Sequence, residues 1–484
     1  MSLTATRTPL PTELPPNAGR AAAGIAIVLV AQLMIVLDAT VVNVALPQID
    51  AGLSFGPASL SWVLNAYTLA FGGLLLLGGR LGDVYGRLRV FEIGLAVFTL
   101  GSALGGLAQT PGQLIAARTF QGAGAALAAP SVLALLTTSA PDEAARNRAL
   151  ALFGAVSSGG ASIGLILGGL LTDVGSWRWT LFINVPIGLT VLALAPRFVT
   201  ETPRRPGRFD VVGALAATGG AVALVWTLIG TPEHGWLTTR TVAGFAVGVA
   251  LLALLARTEL RHPHPMVQPA LMRDRNRVAA LAAMALLMGA NLSMFFLVVQ
   301  YVQGVLGFGP LLAGVAFLPF SLGIFATSRV TPGLLARFGP RRMMLVGTTT
   351  LALAYGWLST VGTGDNYLAA VLGPMSLAGI ASALIFMPVT VIVLAGVAPE
   401  HAGSASGLLQ TTQQLGGAVG VAVIVSVYAA GAAPGQIVPG LSPAFLTSAT
   451  FAALALLVIG LVLRSPRPAP TLDEASSAVA AEAA

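Results

Sequence analysis

The chain has 484 residues, 56% of them hydrophobic and only 9% charged, with a mean hydropathy of +0.85. Soluble domains carry about a quarter charged residues, so this composition excludes a water-soluble globular protein. The net charge of +7 rests on arginine alone, placed in short segments beside apolar runs, which argues for membrane topology and against a nucleic-acid partner; with no cysteine, disulfides and thiolate metal sites are excluded too.

Residues 1–20 are rich in Pro and Thr and read as a disordered N-terminal segment, without a small-residue cleavage site, so the first apolar run is expected to be retained. Apolar stretches of about 20 residues then recur, each able to cross roughly 30 Å of hydrocarbon. Backbone groups in lipid must be paired internally, so these stretches are expected to be helices. They fall near 22–48, 58–79, 89–108, 112–138, 146–172, 178–197, 210–229, 240–257, 278–304, 309–330, 341–362, 367–395, 402–430 and 441–463. The expected fold class is an all-α integral membrane protein with fourteen transmembrane helices.

Arginine orients them. With the N-terminus on the cytoplasmic side, the inner segments hold nearly all the arginines and the outer ones keep only Arg178 and Arg240, with Arg118 inside the fourth span. Both termini are therefore expected in the cytoplasm. The tail 464–484 reads as disordered.

A repeat is visible in this layout. "GGRLGDVYGRLRV" (78–90) follows the second span and "TPGLLARFGPRRM" (331–343) follows the tenth, about 255 residues later. The expected organisation is a six-helix bundle (21–198), a cytoplasmic linker (199–209), two additional helices (210–257), a cytoplasmic loop (258–277) and a second six-helix bundle (278–463). The two additional helices show no polar face and are expected at the periphery. Two six-helix halves around a central site form a transporter's architecture.

Asp38 is the acidic residue lying well inside an expected span. Burial disfavours the charged form of an isolated carboxyl, and a group whose protonation depends on which side is open can couple proton entry to substrate exit. Arg118 is the arginine placed within a span, where such residues face protein or water, unless it snorkels to headgroups. Gly160, Gly164 and Gly168 are spaced by four on one face of the fifth span, a pattern that lets helix backbones touch. Gly79, Gly82 and Gly86 suit a tight turn beside Asp83, Arg87 and Arg89. Trp177 and Trp179 suit an interfacial aromatic belt.

Four stretches, "LDATVVNVALP" (37–47), "GGRLGDVYGR" (78–87), "RTFQGAGAA" (118–126) and "WRWTLFINVPIG" (177–188), together resemble the major facilitator superfamily. The resemblance is to its fourteen-span drug:proton antiporter branch, the EmrB/QacA-like multidrug efflux transporters. It implies a proton-coupled exporter of hydrophobic organic compounds in a bacterial cytoplasmic membrane, working as a monomer without a cofactor. It implies that Asp38 and Arg118 couple protons, and that Asp83 latches onto the start of the thirteenth span near residues 402–404. The second copy of that turn has Ala336 in the aspartate's place, so the latch is one-sided. In the fifth span the family's motif carries a proline where this chain has Leu165, which weakens an inference of antiport from that stretch.

A substrate cavity is expected among Asp38, Asn43, Trp62, Asn65, Tyr67, Asn291, Phe295, Gln300, Gln410 and Gln414, amides and aromatics in an otherwise apolar setting. Each is also consistent with contacts that glue helices together. No GxxxxGK[ST] phosphate loop occurs, so nucleotide hydrolysis is not expected. "RHPHP" (261–265) lacks a third ligand and no metal is expected; an enzyme or a sensor fits less well than a transporter.

Overall fold

A computed structural model of the protein describes residues 18–55, 59–202, 204, 211–261, 269–397, 402–432 and 436–464. Its helices are α1 (Ala18–Leu53), α2 (Trp62–Tyr85), α3 (Arg87–Gly106), α4 (Pro111–Ser139), α5 (Glu143–Val174), α6 (Trp179–Phe182), α7 (Asn184–Phe198) and α8 (Val211–His234). They continue as α9 (Thr239–Arg261), α10 (Arg275–Gly304), α11 (Pro310–Val315), α12 (Leu318–Leu358), α13 (Gly373–Leu394), α14 (Ala402–Gly431) and α15 (Val438–Val462). Within the described residues each interval expected to be helical is mostly helix; the sixth is shared by α6 and α7, the tenth by α11 and α12, and α12 also carries the eleventh. Among the described residues eleven helical stretches are long and apolar enough to cross a membrane. Of the expected terminal tails, residues 1–17 and 465–484 lie outside the described residues, whereas Ala18, Gly19 and Arg20, expected in the disordered segment, already belong to α1.

The longest stretch, Pro310–Leu358, is two arms rather than one rod. Gly339 breaks α12 with φ 74° and ψ 163°, a backbone conformation open to glycine. Were α12 straight, Gly323 and Gly347 would stand about 36 Å apart. Yet Gly323 packs on Ser376 and Gly379, and Gly347 on Ala381 and Ile385, within a few turns of the same helix α13. The arms therefore fold back on each other at Gly339. The turn between α2 and α3 does the same at Gly86, with φ 105° and ψ 135°. The sequence repeat thus reappears as a repeated backbone corner.

Three helix starts carry short polar caps. Thr110, Asp142 and Asp274 accept the backbone N–H three residues on, at 3.3, 2.7 and 2.9 Å, satisfying donors that a helix leaves free. Several helix ends are capped by arginine. Arg20 donates to Arg197 O at the end of α7, Arg277 to Val393 O and Ala395 O at the end of α13, and Arg341 to Gly460 O at the end of α15. A cation there offsets the negative end of the helix dipole. These ends share one face with the start of α1, called here the terminal face; the other is the opposite face.

The two halves join most fully toward the opposite face. One apolar cluster contains α1 from Val41 to Leu53 together with Leu287, Phe296, Phe317, Tyr355 and Phe445 of the second half. Residues Ile27 to Ile35, nearer the terminal face, belong to a cluster drawn wholly from the first half, with Phe71, Phe91, Phe98 and Leu135. At the opposite face Gln48 Nε2 donates to Gln303 Oε1 at 3.1 Å, and Gln303 Nε2 donates to Val44 O at 2.7 Å. Gly169 packs on Pro310, and Gly314 on Leu165, bringing α5 against α11.

The two additional helices behave differently from each other. α9 packs on α8 through Gly244 against Thr227 and Gly248 against Leu224, and is peripheral as expected. α8 is not. Its Ala221, Val225, Leu228 and Ile229 share a core with Trp62, Ala66 and Leu69 of α2 and Ala418 and Ala422 of α14. Trp226 lies 5.4 Å from Trp62 between ring centroids, and Ser426 of α14 donates to Leu228 O at 2.8 Å. Apolar all round, α8 suits a place inside the seam between the halves.

Candidate functional site

The polar centre of the first half is built around Asp38 of α1, which has no exposed surface. Arg118 of α4 donates from Nη1 to Asp38 Oδ2 at 2.6 Å, and its own exposure is 1%. Gln121, one helical turn on, donates to Asp38 Oδ1 at 2.9 Å, and Asn184 at the start of α7 donates to the same oxygen at 2.8 Å. Both amides also donate to Ser102 Oγ of α3, at 2.9 and 3.0 Å, and Ser102 in turn donates to Leu181 O at 2.7 Å. Arg118 also donates from Nε to Val63 O of α2 and from Nη1 to Gln121 Oε1, both at 3.0 Å, and its guanidinium stands 4.5 Å from the Tyr67 ring centroid. A buried carboxylate that accepts from one guanidinium and two amides is a satisfied ion.

This corrects the expectation of an isolated acid. Asp38 sits among α1, α3, α4 and α7 inside the first half, paired with Arg118, and no part of it lines an opening. Arg118 does not snorkel; it reaches inward. Sequence reasoning missed Gln121, Asn184 and Ser102. The first two stood inside quoted stretches, "RTFQG" and "FINVP", and the i, i+3 spacing of Arg118 and Gln121 on one helix face was the available signal. Ser102 carried none.

The other expected cavity residues do not converge on one space. Asn43 is buried and donates to Ala39 O and Thr40 O of its own helix. Trp62 packs on Trp226, and Tyr67 on Arg118 and Phe71. Asn65 is fully buried, and both its side-chain polar atoms lack a hydrogen-bond partner. In the second half Asn291 donates to Ser382 Oγ at 3.3 Å, and Phe295 is stacked on Phe317 and edge-on to Phe320. Gln300 is half-buried, Gln414 lies against Gly72 of α2, and Gln410 is exposed. The first half therefore holds a charged centre, the second half a neutral one, and two glutamines lie on α14 at the seam.

At the terminal face Asp83 accepts from Arg87 Nη2 at 2.6 Å, while Arg87 Nη1 donates to Pro130 O at 3.2 Å; Arg89 is exposed. Gly79 packs on Pro130 and Gly82 on Ser131 and Arg87, while Gly86 faces the Glu201 carboxylate. Glu201, just beyond α7, accepts the backbone N–H of Leu88 at 2.9 Å and of Arg89 at 3.2 Å, capping the start of α3. The side chains of residues 402–404, the expected far side of the latch, lie outside the described residues. On α5, Gly160 abuts Val36, Gly164 abuts Thr40 and Leu37, and Gly168 abuts Val41, so the small-residue face packs on α1. α5 runs through Leu165 without a break. Trp179 is exposed as an interfacial residue would be, whereas Trp177 is buried beneath Arg178. His262 and His264 lie outside the described residues.

The family model described as "Major Facilitator Superfamily" matches residues 28–421. The chain belongs to that superfamily. It is a multi-pass membrane transporter rather than an enzyme. Among curated relatives it is 40% identical over 440 residues to the cephamycin export protein CmcT of Amycolatopsis lactamdurans, covering 90% of each chain. It is 39% identical over 433 residues to the puromycin resistance protein pur8 of Streptomyces alboniger, covering 88% of this chain and 86% of that one. The multidrug resistance protein Stp of Mycobacterium tuberculosis is 36% identical over 401 residues, covering 82% of this chain and 74% of that one. Among solved structures, the POT family transporter PepTSo superposes with a TM-score of 0.68 at 15% identity, over 91% of this chain and 97% of that one, a likeness of fold.

Proposed function

We propose that this chain exports hydrophobic organic compounds from the cell in exchange for protons, with Asp38 as the proton-accepting group and Arg118 as its charge partner. The observation that carries this is the ion pair itself: a carboxylate and a guanidinium, both buried, inside a helical membrane protein and outside any enzyme-like cluster. Removing one charge from a buried pair costs about 3–5 kcal/mol. A proton arriving on Asp38 removes that charge without mutation and leaves Arg118 uncompensated. That penalty is close to the roughly 5.5 kcal/mol needed to invert a 99:1 population of two states. Protonation is therefore strong enough to favour rearrangement of the halves, and deprotonation strong enough to reverse it.

The setting supports the same reading. Fourteen membrane-spanning helices with both termini in the bacterial cytoplasm make the terminal face cytoplasmic, consistent with the arginines gathered there. The fuller closure of the opposite face then corresponds to an inward-facing arrangement, from which substrate is loaded. The driving force is the proton gradient with the membrane potential, about 2.3 kcal/mol per charge per 100 mV, and no cofactor is required. The unit of function is a monomer.

A narrower reading has its own support. The relatives named for cephamycin export and puromycin resistance each concern one antibiotic, which suits an exporter of a single self-made compound. Everted membrane vesicles test the antiport: addition of a transported compound dissipates a preset pH gradient, and Asp38→Asn abolishes the effect. A vesicle preparation in which Asp38→Asn still exchanges protons would overturn the assignment. A panel of unrelated toxic compounds separates broad from narrow export.

A further inference from the structure

Resting on the antiport reading, we infer that each transport cycle moves one proton, because the second half carries an uncharged copy of the Asp38 site centred on Asn291. The equivalence is geometric. The corner glycines 86 and 339 are 253 residues apart, and both have the positive φ that makes the corner. Gly94 and Gly347 have the same spacing. Gly94 packs on Gly124, Leu127 and Ala128 of α4, and Gly347 on Ala381, Leu384 and Ile385 of α13, the same i, i+3, i+4 pattern. At the same interval Asp38 of α1 maps onto Asn291 of α10, and Ser102 onto Tyr355. In the first half Asp38 and Ser102 share two amide donors. In the second, Tyr355 places its hydroxyl near the Asn291 amide, and Ser382 accepts from that amide.

The replacements remove every charge. The shift of α13 relative to α4 puts Met375, fully buried, where the first half has Arg118. From 275 to 464 the acidic residues are Asp365 and Glu400, and both fall between helix bounds, so helices α10 to α15 contain none. Asn291 instead borders a cavity of about 10 Å³ with Met284, Met288 and Ser382, room for about one water. Among the described residues, the titratable group facing Asn291 is Tyr355; facing Asp38 are Arg118 and Tyr67. An amide neither takes nor gives a proton at physiological pH. The second half is thus a silent twin of the coupling site.

The proton count follows from a steady-state gradient. Purified protein in liposomes clamped at zero membrane potential is given imposed pH differences, and the accumulation of two permanent cations, ethidium and tetraphenylphosphonium, is read at equilibrium. One proton per cycle gives tenfold accumulation per pH unit, whereas two give a hundredfold. Wild type is expected at tenfold, and Asn291→Asp, which restores a second carboxyl, is expected to rise above it. A hundredfold dependence in wild type would overturn the single-proton count, and an unchanged tenfold slope in Asn291→Asp would overturn the equivalence. Failure of pH-driven accumulation with both compounds would overturn the antiport reading, and the count with it.

Discussion

Gln48 and Gln303 are 255 residues apart in sequence and hydrogen-bonded across the two halves at 3.1 Å, at the end of the molecule away from its termini. Gln303 also holds Val44 O, so one side chain ties α1 to α10 twice. Losing two hydrogen bonds of about 0.5–1.5 kcal/mol each loosens this closure without emptying a core. Gln303→Ala is expected to expose the neighbouring backbone several-fold more often. The chain has no cysteine, so Val44→Cys supplies a single thiol, and its labelling rate by an impermeant maleimide reads the opening directly.

Asp38→Asn strands the Arg118 charge in the protein interior. Loss of about 3–5 kcal/mol of stability is expected, seen as a lower unfolding temperature in detergent. Adding Arg118→Met, which also discards the stranded charge, is expected to recover much of that stability. Transport driven by a pH gradient stays absent in both proteins. Recovery of stability without recovery of transport separates a coupling role from a structural one.

Glu201 offers its carboxylate to two backbone donors at the start of α3. Glu201→Gln keeps an acceptor and loses the charge at the helix N-terminus, worth about 0.3–1 kcal/mol. Glu201→Ala leaves both donors without that acceptor and is expected to be the worse of the two. Hydrogen exchange of the Leu88 and Arg89 amides ranks them, slowest in wild type and fastest in the alanine variant.

Gly164 and Gly168 have no room for a side chain, since an added Cβ would overlap Thr40 and Val41 of α1. Gly168→Val is expected to cost at least about 1–3 kcal/mol through overpacking and to cut the yield of folded protein in size-exclusion chromatography. Gly159, on the same helix with open space around it, is the control. Gly159→Ala is expected to be neutral or to stabilise by up to about 1 kcal/mol.

The helices were legible because apolar runs of bilayer length leave few alternatives to helix. The repeat was legible too, since a corner that needs positive φ selects glycine at residues 86 and 339. Asp38 and Arg118 stood out because charge is rare in such runs. Their pairing was not legible: 80 residues separate them, and no periodicity within one helix reports on a neighbour. Neutral partners such as Ser102 are chemically ordinary in sequence and become part of the site through position alone. The amide and aromatic residues read as one cavity were over-collected for the same reason, since Asn43 satisfies its own helix and Phe295 packs in an aromatic cluster.

The placement of α8 has a consequence for how the protein sits among its lipids. Two repeats related to each other would present matching flanks to the bilayer. With α8 wedged beside α2 and α14, and α9 leaning on it, one flank is thickened and the other left bare. The molecule has a front and a back in the membrane plane, and a lipid or a neighbouring protein can tell them apart.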